Sequence, residues 1–166
     1  MQHSSLMPAV LLAALSLQVT PAFAEAPHAN AHHRNDHPHH LSVFVGETEF
    51  EGDKDKSGFT LGIDYEYRVN DLIGLGTVAE YAYGDIDALT VLAVADIHIT
   101  HRFIIQTGPG YEWVDNNSKD NSWVYRVGAL YEFNLGRFTV SPQAHWDFHD
   151  ATDDALVLGL AVGMAF

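Results

Sequence analysis

The side chains able to do chemistry in this chain are carboxylates and imidazoles: 22 Asp and Glu and 11 His stand against 8 Lys and Arg, and there is no cysteine. Three carboxylates sit between aromatic rings, in Tyr65-Glu66-Tyr67, Tyr111-Glu112-Trp113 and Tyr131-Glu132-Phe133, and Trp146-Asp147-Phe148 is a fourth version. In an extended chain neighbouring side chains point to opposite faces, so each acid looks away from its flanking rings. Carrying the alternation along the chain places Asp64, Glu66, Glu80, Asp96, Glu112, Glu132 and Asp147 on one face, together with Arg68, Arg126, His98 and His145. The chemistry such a face offers is a buried charge network, because an unpaired interior charge is costly. Seven acids cannot all pair with two arginines, which leaves protonated acids, water or a cation among them. His145, Asp147 and His149 share this face at two-residue spacing, near the level of Glu112 and Arg126, a carboxylate and imidazole set that could hold a divalent metal.

A second set of imidazoles lies earlier, in the segment EAPHANAHHRNDHPHH over 25–40, with His28, His32, His33, His37, His39 and His40. It has no periodic apolar face, so we expect a disordered tail. Imidazoles this dense could bind Zn, Ni or Cu. Loop residues Asp53-Lys54-Asp55-Lys56-Ser57-Gly58 match the opening of an EF-hand loop with Asp64 at the twelfth place, but without flanking helices they read as a turn nucleated by Asp and Gly.

The elements that must position these groups are strands. Eight segments of about ten residues, the length a tilted strand needs to cross hydrocarbon, fall near 41–50, 58–69, 73–83, 88–99, 102–114, 122–134, 137–149 and 155–166. In the second, Phe59, Leu61, Ile63, Tyr65, Tyr67 and Val69 share one face, and Thr60, Gly62, Asp64, Glu66, Arg68 and Asn70 the other. The polar face carries Gly, Ala, Glu, Arg, His and Gln rather than the Lys and Thr of a solvated surface, which argues for a narrow lumen over a soluble sandwich or lipocalin-like barrel. Links at 70–71, 100–101 and 135–136 are tight, whereas 51–57, 115–121 and 150–154 are longer and charged; only 84–87 is short for its place. With the N-terminus on the inner side, Phe59, Tyr81, Tyr83, Tyr111, Trp113, Trp123, Tyr125, Trp146 and Phe148 fall near the outer rim. Tyr65, Tyr67, Phe103, Tyr131, Phe133, Phe138 and Phe166 fall near the inner rim. Two aromatic girdles about an aliphatic belt match the partition of amphipathic rings at membrane interfaces. Pro109 and Pro142 interrupt strands, each removing a ladder donor, so a bulge or local break is expected at both.

Ahead of the tail, an apolar run over 7–19 is too short to span a bilayer and is followed by Pro21 and Ala22-Phe23-Ala24, a small-x-small pattern. This predicts a signal peptide over 1–24, although its first residues carry no Lys or Arg. The formal charge of −14 argues against nucleic acid and suits a surface meeting cations or cation-bridged lipopolysaccharide.

The final strand, ALVLGLAVGMAF, alternates large apolar with small residues and ends on Phe166. It resembles the terminal strand by which bacterial outer-membrane barrels are recognised by their insertion machinery. From 41 to 166 the chain resembles the small eight-stranded barrels of the OmpA transmembrane domain and OmpX kind. The resemblance implies an all-β, eight-stranded antiparallel up-and-down transmembrane β-barrel, located in the outer membrane with its tail in the periplasm. The partners it implies are outer-membrane lipids, lipopolysaccharide and, during insertion, the barrel-assembly machinery; we expect a monomer. The expected role is non-enzymatic, a structural or surface-interaction protein of the envelope without a cofactor. The alternative is transition-metal binding or uptake through the tail and the acidic lumen. Lipid A deacylase barrels use a His, a Ser two residues on and a Glu on the lipid-facing wall. Here the residue two beyond His145 is Asp147, and Ser141 stands roughly 13 Å from His145 along the strand, too far for proton transfer.

Overall fold

The computed structural model describes residues 37–50, 57–84, 87–114 and 121–166. The expected signal peptide, the tail over 25–36 with His28, His32 and His33, and loop residues 53–56 lie outside the described residues. The strands are β1 (His39–Phe50), β2 (Ser57–Arg68), β3 (Ile73–Gly84), β4 (Ala88–His98), β5 (Phe103–Val114), β6 (Ser122–Tyr131), β7 (Phe133–Leu135), β8 (Phe138–His149) and β9 (Ala155–Ala165). β6 continues into β7 across the single residue Glu132, and both pair with β8, so these nine segments make eight barrel strands. β1 pairs with both β2 and β9, which closes the sheet into an antiparallel up-and-down barrel.

The registers fix the shape. Paired residues followed once round the wall run His39, Tyr67, Leu75, Ala95, Thr107, Val127, Trp146, Leu156 and back to β1 at Glu49. That return is ten residues along from the start, so the strands tilt by roughly 35–45° and the lumen is filled by side chains. Burial alternates as the sequence requires. In β4, Ala88, Thr90, Leu92, Val94, Asp96 and His98 are buried, while Leu89 and Val91 are exposed. In β9, Ala155, Val157 and Ala161 are buried, while Leu158, Leu160 and Val162 face out.

Local chemistry makes the tight turns. Asn70 Oδ1 accepts from the backbone N–H groups of Leu72 and Ile73, and Thr100 Oγ1 does the same for Arg102 and Phe103. Gly136 takes φ 70° between β7 and β8, a conformation that glycine adopts without penalty.

Both prolines break a ladder without shifting it. The β4–β5 pairing stops at Leu92–Gly110 and resumes at Ala95–Thr107 in the same register, across Pro109. The pairing of β8 with β6 and β7 stops at Leu130–Gln143 and resumes at Phe133–Val140, again in register, with Pro142 in the gap. A missing N–H removes one bond locally and leaves the pairs beyond it unchanged. Gly108 beside Pro109 is required by space, since a Cβ there would run into the backbone of Ala93 and Val94.

The boundary expected after His40 moves to His39. The backbones of His39 and Phe166 exchange hydrogen bonds of 3.2 and 2.8 Å, and the His39 ring lies against Phe166, Tyr67 and Tyr65. These contacts hold the end of the tail in the barrel wall. The rings form two groups at opposite ends. Tyr81 meets Tyr83 and Tyr111 meets both Trp113 and Trp123 at one end, while Tyr131 meets Phe133 and the His39 cluster sits at the other.

Candidate functional site

All the charged residues that alternation assigned to one face point into the lumen, where neighbouring strands stack them in tiers. Nearest the β1–β2 end, Thr90 Oγ1 donates to Glu112 Oε2 at 2.9 Å, and His149 Nε2 lies 3.4 Å from Glu112 Oε1 without the alignment of a hydrogen bond. Just below is Arg126, fully sealed from solvent at 0% exposure. Its Nε and Nη2 donate to Asp147 at 2.7 Å each, and its Nη1 and Nη2 donate to Glu80 at 2.8 and 2.6 Å. One guanidinium thus grips two carboxylates in paired geometry, the strongest arrangement available to these groups. The register brings it about: Arg126 is paired with Asp147 across β6 and β8, and Glu80 reaches in from β3 over Gly62, whose missing side chain leaves room.

The middle tier is mixed. Phe44 lies over Gly46 and Gly159, and its ring meets the His145 ring edge-on at 6.4 Å. His145 sits over Gly128, and its Nε2 pairs with Gln143 Oε1 at 2.9 Å while its Nδ1 is buried without a partner. Val78, Leu92, Val94 and Val124 pack as one apolar cluster. This apolar part of the plug was not expected. Its signal was Phe44, an aromatic on the Ser42, Gly46 and Thr48 side of β1, and on the neighbouring strand the glycine over which it packs.

Toward the His37 end the lumen changes character. Gln106 Nε2 donates to Asp64 Oδ2 at 3.2 Å and to Asp96 Oδ1 at 3.0 Å, which ties two carboxylates to one amide. Asp64 Oδ1 is buried with no hydrogen-bond partner. Below them His98 Nε2 donates to Glu66 Oε1 at 2.7 Å, and Arg68 Nη2 lies 3.0 Å from both ring nitrogens of His98. Glu66 occupies the space over Gly74 that a Cβ would fill. Glu132, at the break between β6 and β7, lines the lumen here, its backbone N–H bonded to Arg102 O at 2.7 Å. A cavity of about 20 Å³ lies among Asp64, Asp96, Glu66, Glu132, His40, Ser42, Ser141, Gln143, Ile104 and Leu130. A second cavity, of about 290 Å³, lies at the mouth among His37, Pro38, His40, Glu66, Arg68, His101, Glu132, Asn134, Thr139 and Ala165. The two share His40, Glu66 and Glu132.

Of the imidazoles expected on the tail, His39 belongs to the rim cluster, and His40 bonds Thr139 Oγ1 at 2.9 Å and packs over Gly163. His37 lines the mouth. Among the described residues no three His, Asp or Glu side chains converge to hold a metal ion. His145, Asp147 and His149 do not form such a group, and Arg126 engages both oxygens of Asp147. Gln106 was not expected as a site residue, although its position on the inward face of β5 was readable from alternation with Glu112.

No family model matches the sequence, and no curated protein does. Solved structures do match. The N-terminal β-barrel domain of Pseudomonas aeruginosa OprF aligns with TM-score 0.52 at 12% identity, over 76% of this chain and 97% of that one. P. aeruginosa OprG aligns with TM-score 0.52 at 12% identity, over 77% and 97%. The outer membrane enzyme PagL aligns with TM-score 0.51 at 17% identity, over 76% and 99%. Closed antiparallel wall, apolar outside, filled lumen and these likenesses agree: the chain has the fold of the small eight-stranded transmembrane β-barrels of the outer membrane, as its resemblance to the OmpA and OmpX kind implied.

Proposed function

We propose that this chain is a non-enzymatic barrel of the bacterial outer membrane, with a structural or surface-interaction role in the envelope. Its N-terminal tail lies in the periplasm, its longer loops meet lipopolysaccharide outside, and it works as a monomer whose Phe166 end is read by the assembly machinery. The observation that carries this reading is the Glu80–Arg126–Asp147 cluster. Four of the five N–H groups of the guanidinium bond these two acids and tie three strands together, and the side chain is fully buried. PagL is described as an enzyme, but here His145 faces the lumen and Asp147, two residues on, is committed to Arg126. Deletion in the source bacterium should raise outer-membrane permeability to a large hydrophobic antibiotic or remove a surface-binding phenotype, with recovery on return of the intact chain. Unchanged permeability and surface binding would remove this role.

A second reading, transition-metal capture from the periplasm, is favoured by one observation: His37, His40 and His101 line the same mouth cavity as Glu66 and Glu132, directly after the histidines of 25–36. Calorimetric titration of Zn, Ni and Cu into the refolded chain, beside a version lacking 25–36 but keeping His39 and His40 for β1, tests it. Micromolar binding lost with the tail supports metal capture, and no binding by either version removes it.

A further inference from the structure

We propose that the outer wall at the His37 end holds an anionic phospholipid of the inner leaflet, with Arg102 and Arg137 on its phosphate and Phe103, Phe133, Leu135 and Phe138 against its acyl chains. This deepens the reading that puts the tail in the periplasm and rests on it. Charge is sorted along the barrel. The described cationic side chains besides histidine are Arg68, Arg102, Arg126 and Arg137. Arg68 and Arg126 face the lumen and stand against carboxylates. The other two lie in exposed turns at the His37 end, Arg102 just before β5 and Arg137 between β7 and β8. Among the described residues neither makes an ion pair, in a chain with 22 acidic and 8 basic side chains. At the opposite end the exposed described charges are all acidic: Glu47, Glu49, Asp87, Asp150 and Asp153. The exposed described acid at the His37 end is Asp71, in the turn between β2 and β3, and β3 and β4 separate it from Arg102.

The topology brings the two guanidiniums to one stretch of rim. Arg102 O accepts from the Glu132 N–H at 2.7 Å, which fastens its turn to the strand that runs on through β7 into the Arg137 hairpin. Two steps across the sheet separate β5 from β8, about 10 Å at the usual strand spacing, a gap that two long side chains can close over one headgroup. Glu132 does not compete for them, because it turns inward and lines the two cavities. On the outer face the same strands are apolar and exposed. Leu135 pairs with Phe138 at 63% and 53% exposure, and Phe133 and Phe103 continue the patch toward β5. Aromatic rings of a girdle mark the boundary between hydrocarbon and headgroups, so the turns just beyond them stand at the level of the phosphates. A guanidinium holds two phosphate oxygens through parallel N–H groups while its methylenes lie along apolar surface. The acidic opposite end would repel the same headgroup, so the contact belongs to this leaflet.

The experiment is solution NMR of the refolded, nitrogen-15-labelled chain in phosphatidylcholine bicelles, with phosphatidylglycerol added at constant total lipid. The expected result is a saturating shift of the Arg102 and Arg137 Nε–H signals and of the Gly136 amide, while the amides of Asn70 and Asp71, in the turn beyond β3 and β4, stay in place. Arg102→Gln and Arg137→Gln should each weaken the apparent affinity about fivefold, the worth of one basic side chain at an anionic surface, and the double variant should lose saturation. Both positions are exposed turn residues, so the variants should fold. Should one not, reversal of the shifts by added salt in the natural sequence supports the contact by itself. Soluble glycerol phosphate supplies the headgroup chemistry without acyl chains. Equal shifts with it overturn the lipid surface in favour of a free-phosphate site, and equal shifts at every turn, Asn70 included, overturn it in favour of diffuse surface charge. Orientation is read separately, by protease digestion of the tail in intact cells. A protected tail with no response to phosphatidylglycerol overturns the lipid surface and leaves the periplasmic tail standing. A tail digested from outside overturns the inner leaflet as the source of the lipid, whatever the bicelles show.

Discussion

The two ends of this lumen meet the same problem, carboxylates inside a closed wall, and answer it differently. Around Arg126 two acids share one fully buried guanidinium through four hydrogen bonds of 2.6–2.8 Å. Around Gln106 two acids share one neutral amide at 3.0 and 3.2 Å, and an oxygen is left over. The first arrangement is complete within the protein, whereas the second leaves Asp64 Oδ1 without a partner and stands near a small cavity that shares His40, Glu66 and Glu132 with the mouth cavity. One continuous sheet can therefore hold its lumen acids with a buried guanidinium at one end and with a neutral amide at the other. What differs between the ends is a single residue type at the centre of each tier, Arg126 against Gln106.

Substitutions should widen that difference or erase it, the largest effect first. Arg126→Met leaves Glu80 and Asp147 buried and unpaired, and should cost about 3–5 kcal/mol in urea unfolding. Adding Glu80→Gln and Asp147→Asn to it should recover most of the loss, because the uncompensated charges go with the guanidinium. Gly108→Ala pushes a methyl into the backbone of Ala93 and Val94 and should cost about 1–3 kcal/mol, read in the same assay. Arg68→Met, at the open end, removes a side chain that is 26% exposed and stands 3.5 Å from Glu66, so its cost should stay within about 1 kcal/mol. Pro142→Ala restores a ladder donor opposite an existing gap and should change stability by less than about 1 kcal/mol. If Arg68→Met proved as damaging as Arg126→Met, the contrast between sealed and open ends would be lost.

Alternation was enough to read the wall. The strand limits lie within two residues of those expected, and inward residues such as Glu66, Asp96 and Arg126 were identifiable by parity, because one buried face forces a period of two. Partnership was not readable in the same way. That Arg126 would take Glu80 and Asp147 while Asp64 and Asp96 were left to Gln106 depends on register and on the ten-residue rise round the barrel, which a single strand does not reveal. The glycines carry part of this hidden information. Gly62, Gly74, Gly128 and Gly159 read locally as weak strand residues, yet each lies under a large lumen side chain of a neighbouring strand. His39 and His40 were grouped with the tail by composition, and their cross-strand contacts with Phe166 and Thr139 place them in the wall.

The division of the lumen can be tested most directly through accessibility, since the chain has no cysteine of its own. Ser42 lines the small cavity toward the His37 end and Ser122 lies at the other end, and both are buried. In proteoliposomes of one orientation, a small cationic thiol reagent applied at the His37 end should modify Ser42→Cys, and the same reagent applied at the opposite face should leave it untouched. Ser122→Cys serves as the converse control. Modification of Ser42→Cys from both faces at similar rates would contradict a lumen sealed by Arg126 and open only at the mouth.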